Sequence, residues 1–271
     1  MATPKSAAGS RRRRPSSPRH DLHGRTALVT GGAVRVGAAV ARHLAAAGCD
    51  VVIHRNESVR QANDLVAALQ ARGVHAAAVG GDLAKVADRR RLLPAAAKAI
   101  GRPIDLLVNN ASSFPPRRLM DLEWEDLLDD LAVNAWAPFE LTRAFAEQLP
   151  KGREGMVVNF LDARIVDDDR RHVGYHFAKR MLADITRLSA IEFAPRVAVN
   201  AVAPGPTLPP PGTDPRKGAA MMERLRQRLP LQRTSTPDDL ARAVVYLAGS
   251  RAHTGQVLFV DGGRHLGRPE S

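Results

Sequence analysis

Thr26-Ala-Leu-Val-Thr-Gly-Gly-Ala-Val-Arg-Val-Gly37 begins as a short β-forming run, passes through a glycine-rich turn and enters an apolar-periodic segment, Val36 to Ala47. It reads as strand, turn and helix. Gly31 and Gly37 allow a tight turn and close helix packing, and the helix then directs its free N–H groups and positive dipole end beyond the strand. A pyrophosphate suits that position. Gly31, Arg35 and Val36 are therefore expected contacts of a dinucleotide.

Outward from this unit, further strands are read at Val51–His54, Ala76–Gly80, Leu106–Asn109, Met156–Phe160, Ala198–Val202 and Gln256–Val260, with Ala/Leu/Arg-rich helical segments between them. Seven strands interleaved with helices predict an α/β fold: a single Rossmann-type, doubly wound, mostly parallel seven-stranded sheet flanked by helices. Ligands of such sheets bind beyond the carboxyl ends of the strands. The Pro/Gly-rich stretch 204–217 breaks the alternation and is read as a lid on the substrate side.

The chain of 271 residues is 44% hydrophobic, which fits one large domain. Of its net charge of +12, half comes from Lys5, Arg11, Arg12, Arg13, Arg14 and Arg19. Residues 1–22 are accordingly expected to form a disordered basic tail, and residues 23–271 the Rossmann-type domain. A solvated tail is favoured over a nucleic-acid contact. No long apolar stretch or secretion signal is read, so a cytoplasmic protein without a membrane span is expected. Cys49, the single cysteine, is expected in the core, and no metal-ligand spacing is found.

The end of the second strand selects the cofactor. An NAD enzyme would normally place a carboxylate there, whereas this chain has His54-Arg55-Asn56, followed by Ser58. Arg55 offers a charge-assisted fork to a 2′-phosphate, with Ser58 as a hydroxyl donor, so NADP(H) is expected despite Glu57. Asp82 and Leu83 follow the third strand, where a carboxylate meets an adenine amino group. Asn110, Ala111 and Ser112 follow the fourth.

Tyr175-His-Phe-Ala-Lys179 opens a helical segment, and a spacing of four puts Tyr175 and Lys179 on one face. A neighbouring ammonium favours the phenolate, so Lys179 is expected to lower the Tyr175 pKa. With these residues the chain resembles the short-chain dehydrogenase/reductases over roughly residues 24–266. Thr30–Gly37, Asn109-Asn110-Ala111, Asn134, Tyr175–Lys179, Pro204-Gly205 and Asp261-Gly262-Gly263 carry the resemblance. It implies Tyr175 as proton donor, Lys179 as its activator, Asn134 as anchor of a water relay, and Pro204 and Gly205 beside the cofactor.

Two departures from the family pattern stand out. Arg35 replaces the third glycine of the turn, and Asp162 replaces the serine thirteen residues before the tyrosine. An ionised carboxylate cannot donate a hydrogen bond to a ketone oxyanion, but it suits a substrate bearing N–H groups. Both departures, together with Asn109-Asn-Ala-Ser-Ser-Phe114, resemble the pteridine reductases, including the dihydromonapterin and dihydrofolate reductases. The resemblance implies a pterin or folate stacked on Phe114, Arg35 and Ser112 at its polar edge, Asp162 and Tyr175 as substrate contacts, and a homotetramer packed through 131–148 and 175–193. Arg268 matches an arginine that reaches a neighbouring site. Two alternatives are kept: a carbonyl or 3-oxoacyl-thioester reductase, and an NADP-binding sensor with a polyanion-binding tail.

Overall fold

A computed structural model describes residues 21–267. The tail residues 1–20 and Arg268 lie outside the described residues. Seven strands, β1 (Thr26–Val29), β2 (Asp50–Arg55), β3 (Ala76–Gly80), β4 (Leu106–Asn109), β5 (Gly155–Phe160), β6 (Val197–Pro204) and β7 (Val257–Val260), form one sheet. Its order is β3-β2-β1-β4-β5-β6-β7, and every pairing is parallel. The helices are α1 (Arg35–Ala46), α2 (Val59–Gln70), α3 (Val86–Ile100), α4 (Trp124–Leu131), α5 (Ala137–Gln148), α6 (Val173–Glu192), α7 (Pro215–Arg226) and α8 (Pro237–Ala248).

Alternate residues of each inner strand feed two different cores, which is why the strands read as unbroken apolar runs. Ala27, Val29, Val51, Ile53, Leu106 and Val108 pack with α1, α2 and α8 on one face. Leu28, Val52, Leu107, Val157 and Val199 pack with α3 and α5 on the other. Burying a side chain such as Leu44 of α1 or Leu141 of α5, both essentially unexposed, contributes about 1.5–3 kcal/mol. Strand order reverses between β1 and β4, and the carboxyl ends of these two strands open the crevice in which such folds bind ligands.

Three boundaries differ from the sequence reading. Leu22 is buried in the first core and its N–H bonds the Ala47 carbonyl, so the ordered domain includes a residue assigned to the tail. The proposed lid is a loop only as far as Asp214, whose carboxylate caps α7 by accepting from Arg216 and Lys217 N–H. The span 131–148 is not one regular helix, because a π-helical turn, Ala132–Trp136, joins α4 to α5. Such a turn inserts a residue into the helical repeat and is frequent at functional sites.

Candidate active site

The glycine turn after β1 is held shut from three sides. Thr30 Oγ1 accepts from the N–H groups of Asn110 (2.9 Å) and Ala111 (3.0 Å), and Asn110 Nδ2 donates to the Thr30 carbonyl at 2.9 Å. His54 brackets the third side: Gly31 N–H donates to its Nδ1 at 3.3 Å, and its Nε2 lies 3.0 Å from the Gly81 carbonyl. A Cβ at Gly37 would overlap the Gly31 carbonyl oxygen, so only glycine lets α1 start this close to the turn. Val34, the N-cap of α1, supplies no side-chain cap, leaving the first helical N–H groups for a ligand.

Arg35 occupies left-handed backbone, φ +53°, which costs a non-glycine residue roughly 1–2 kcal/mol. Its exposed side chain crosses to the substrate-side loop, where Nη2 donates to the Pro209 carbonyl at 2.8 Å. Strain of this kind persists where a specific side chain is wanted at that point.

His54, expected to touch cofactor, is only 2% exposed and serves instead as the bracket between turn and sheet. Burial, the largest cause, pushes its pKa down to about 4. With the unfolded value at 6.5, its contribution to stability is complete above pH 6.5 and is lost as pH falls through about 4, a change of about 3 kcal/mol. Denaturant unfolding at the two pH values should show this extra acid sensitivity in the wild type. His54→Asn should lack it; equal acid sensitivity in both proteins would refute the assignment.

At the end of β2, Arg55 lies across Gly80, its Nη1 donating to the Asn56 carbonyl at 3.0 Å. Its Nε is buried without a hydrogen-bond partner among the described residues. Ser58 is the N-cap of α2, yet its hydroxyl makes no capping bond. An orphaned guanidinium donor and an uncommitted hydroxyl at a helix N-terminus fit a phosphate. Asp82 Oδ1 accepts from Ala84 N–H at 3.0 Å and Leu83 is buried beside it. Gly205 lies so close to Asp261 that a Cβ there would press on the Asp261 backbone, which fixes Pro204-Gly205 against the Asp261-Gly-Gly turn.

Tyr175, on the first turn of α6, is 7% exposed and donates from its hydroxyl to Asp162 Oδ2 at 3.0 Å. Asp162 Oδ1 accepts from Arg164 N–H at 2.8 Å, which aims the carboxylate at the phenol. Lys179 is buried; its Nζ donates to the Phe160 carbonyl at 2.8 Å and lies 5.6 Å from the Tyr175 ring centroid. Here the sequence expectation is corrected. Burial first, and then the Asp162 carboxylate, raise the Tyr175 pKa well above its ordinary value. Burial also lowers Lys179 to about 8, weakening the cation that was expected to dominate. Tyr175 is thus held as a neutral proton donor rather than poised as a phenolate.

Asn134, in the π turn, accepts at Oδ1 from Ser112 Oγ (2.7 Å) and Ser113 N–H (3.3 Å), while Nδ2 donates to the Asp130 carbonyl at 3.0 Å. In this structure it pins the loop after β4, and Ser112 is engaged with it. The next residue but one, Phe114, is 40% exposed, edge-on to Tyr175 at 4.6 Å and stacked on His172 at 3.8 Å. Two partners of this platform were not identified from sequence. Arg164 lies 5.1 Å from the Phe114 centroid and bonds Asp169 Oδ2 at 2.9 Å, the same oxygen that lies 3.0 Å from His172 Nδ1. The sequence marks this segment by the charged run Asp167-Asp-Asp-Arg-Arg171 between them.

A family model described as Enoyl-(Acyl carrier protein) reductase matches residues 32–265. The chain belongs to the short-chain dehydrogenase/reductase family. It is an NAD(P)-dependent oxidoreductase of that family. Among solved structures, FolM alternative dihydrofolate reductase 1 of Brucella canis, complexed with NADP, is similar at 35% identity and a TM-score of 0.86, covering 93% of this chain and 98% of that one. Pteridine reductase 1 of Leishmania tarentolae is 32% identical over 89% of this chain and 96% of its own. These two relatives support the pteridine reductase-like branch of the family. The 3-oxoacyl-(acyl-carrier-protein) reductase FabG of Staphylococcus epidermidis is 28% identical over 89% of this chain and 99% of its own.

Proposed function

We propose that this short-chain dehydrogenase/reductase uses NADPH to reduce a dihydropterin or dihydrofolate at a ring C=N bond. The observation that carries the reading is the Asp162 carboxylate hydrogen-bonded to Tyr175 beside the Phe114 platform. Arg55 and Ser58 would hold the 2′-phosphate, Asp82 and Leu83 the adenine, and Gly31, Arg35, Val36 and the α1 N-terminus the pyrophosphate. Asn110, Ala111, Lys179, Pro204 and Gly205 would line the nicotinamide half. A nicotinamide bound there would supply hydride to the ring carbon.

Every other step belongs to the protein. Phe114 offers a face for offset stacking of a flat ring, and Asp162 accepts from ring N–H groups. Tyr175, held neutral by its own burial and the Asp162 carboxylate beside it, gives its proton to the ring nitrogen beside the reduced carbon. Lys179 faces the phenolate left behind, and Asp162, more exposed than Tyr175, passes a replacement proton inward from solvent. A developing carbonyl oxyanion, in contrast, would be repelled by Asp162, which disfavours the 3-oxoacyl reductase alternative.

NADPH oxidation with a panel of dihydropterins and dihydrofolate, run in parallel with NADH, tests the reading. NADPH should be preferred by about two orders of magnitude in kcat/KM, from loss of charge-assisted phosphate contacts with NADH. Preference for NADH, or no turnover of any pterin or folate, would refute it.

Assembly as a homotetramer is part of the proposal. Trp136, Phe177, Leu188 and Ile191 stand 43–78% exposed on and around α5 and α6, apolar area that a partner subunit would cover. Light scattering reads the mass directly. No helix among the described residues is long and apolar enough to cross a membrane.

A further inference from the structure

Near the Phe114 platform in sequence lies a cavity of about 840 Å³, walled by Pro116, Arg117, Arg118, Asp121, Arg170 and Arg171. Two loop segments meet there through backbone bonds: Arg117 N–H donates to the Arg171 carbonyl at 2.7 Å, and Val173 N–H donates to the Arg117 carbonyl at 3.0 Å. Arg117 is committed to the fold, because its guanidinium pairs with Asp126 at 2.8 Å and with buried Asp130 at 3.2 Å. That clamp fixes the wall and sets Arg118 at its rim.

The other three guanidinium groups differ. Arg118, Arg170 and Arg171 are exposed, and their side chains have no hydrogen bond or ion pair among the described residues. The neighbouring acids that might have neutralised them are turned elsewhere: Asp167 to Arg264, Asp168 to Arg180, and Asp169 to Arg164 and His172. Asp121 is the one carboxylate on the wall. Three like charges around one cavity repel each other, and a ligand with two or more carboxylates would offset that repulsion through forked contacts.

The position of the cavity specifies the ligand further. Pro116 is two residues from Phe114, and Arg171 immediately precedes the His172 ring stacked on Phe114. Three or four residues of extended chain span about 10–14 Å, so a molecule lying on Phe114 needs only a tail of that order to reach the arginines. Resting on the pterin reading, we propose that this cavity receives an anionic tail of the substrate, so that the preferred substrate is a folate carrying glutamate carboxylates. A pterin with a short neutral side chain would leave the arginines empty.

The test compares dihydrofolate, its polyglutamylated form and a dihydropterin with a neutral side chain, using the full chain and the variants Arg118→Gln, Arg171→Gln and the double variant. In the wild type, kcat/KM should rise from the neutral dihydropterin to dihydrofolate to the polyglutamate, and the advantage should shrink with added salt. In the double variant KM for dihydrofolate should rise about tenfold or more with kcat unchanged, as expected when uniform binding is lost. The neutral dihydropterin should keep its wild-type constants, which also shows that the variants fold. Equal effects on both substrates, or no effect on either, overturn the inference alone. Absence of turnover with every pterin and folate overturns the reading on which it rests.

Discussion

Asp162→Asn is expected to lower kcat for dihydropterin reduction by about two to three orders of magnitude, the range for loss of a positioned proton-transfer group. NADPH affinity should stay within about twofold. The amide oxygen can still accept from Arg164 N–H, while the amide NH2 takes the place of the oxygen that accepts from Tyr175 and can only donate to it, so the shape is kept while the charge and the capacity to pass a proton are removed. A second readout separates this from simple misplacement. Asp162 is the largest cause of the raised Tyr175 pKa after burial, so the variant should ionise Tyr175 at lower pH than the wild type. The chain has only two tyrosines, which makes an ultraviolet phenolate titration readable. Unchanged turnover, or an unchanged Tyr175 titration, would remove Asp162 from the proton path.

Gly37→Ala should have an effect of similar size at the other half of the site. The new methyl group would overlap the Gly31 carbonyl and crowd Asn110 Nδ2, which itself holds the turn to β4. Relief requires α1 to retreat from the turn, at roughly 1–3 kcal/mol of stability, and withdraws its N–H groups from the pyrophosphate position. NADPH affinity should fall by about a hundredfold or more in a fluorescence titration, with a lower Tm. Wild-type affinity in this variant would show that the close helix start has no part in cofactor binding.

The sheet was legible because each inner strand is buried on both faces, which writes apolar runs such as Val51–Ile53 and Leu106–Val108 directly into the chain. The glycine turn was legible for a related reason: close approach leaves only one residue type possible at Gly37. Features set by distant contacts were not. The direction of the Tyr175 shift depends on burial and a carboxylate thirteen residues upstream, whereas the sequence pattern pointed to Lys179, four residues away. His54 immediately precedes Arg55-Asn56 at the end of β2, yet its ring turns inward to Gly31 and Gly81. The π turn at Asn134 leaves no mark on an otherwise ordinary helical pattern. Arg164 could not be told from its charged neighbours until its approach to Phe114 and Asp169 was seen.

In the proposed mechanism Asp162 redirects the Tyr175 and Lys179 pair from carbonyl oxygen to ring nitrogen. The most direct measurement is the ratio of kcat/KM for a 7,8-dihydropterin to that for an acetoacetyl thioester, both with NADPH on the wild-type enzyme. A ratio of at least about a hundred is expected, because the Asp162 carboxylate opposes one transition state and assists the other. A ratio below one would contradict it and identify the enzyme as a carbonyl reductase.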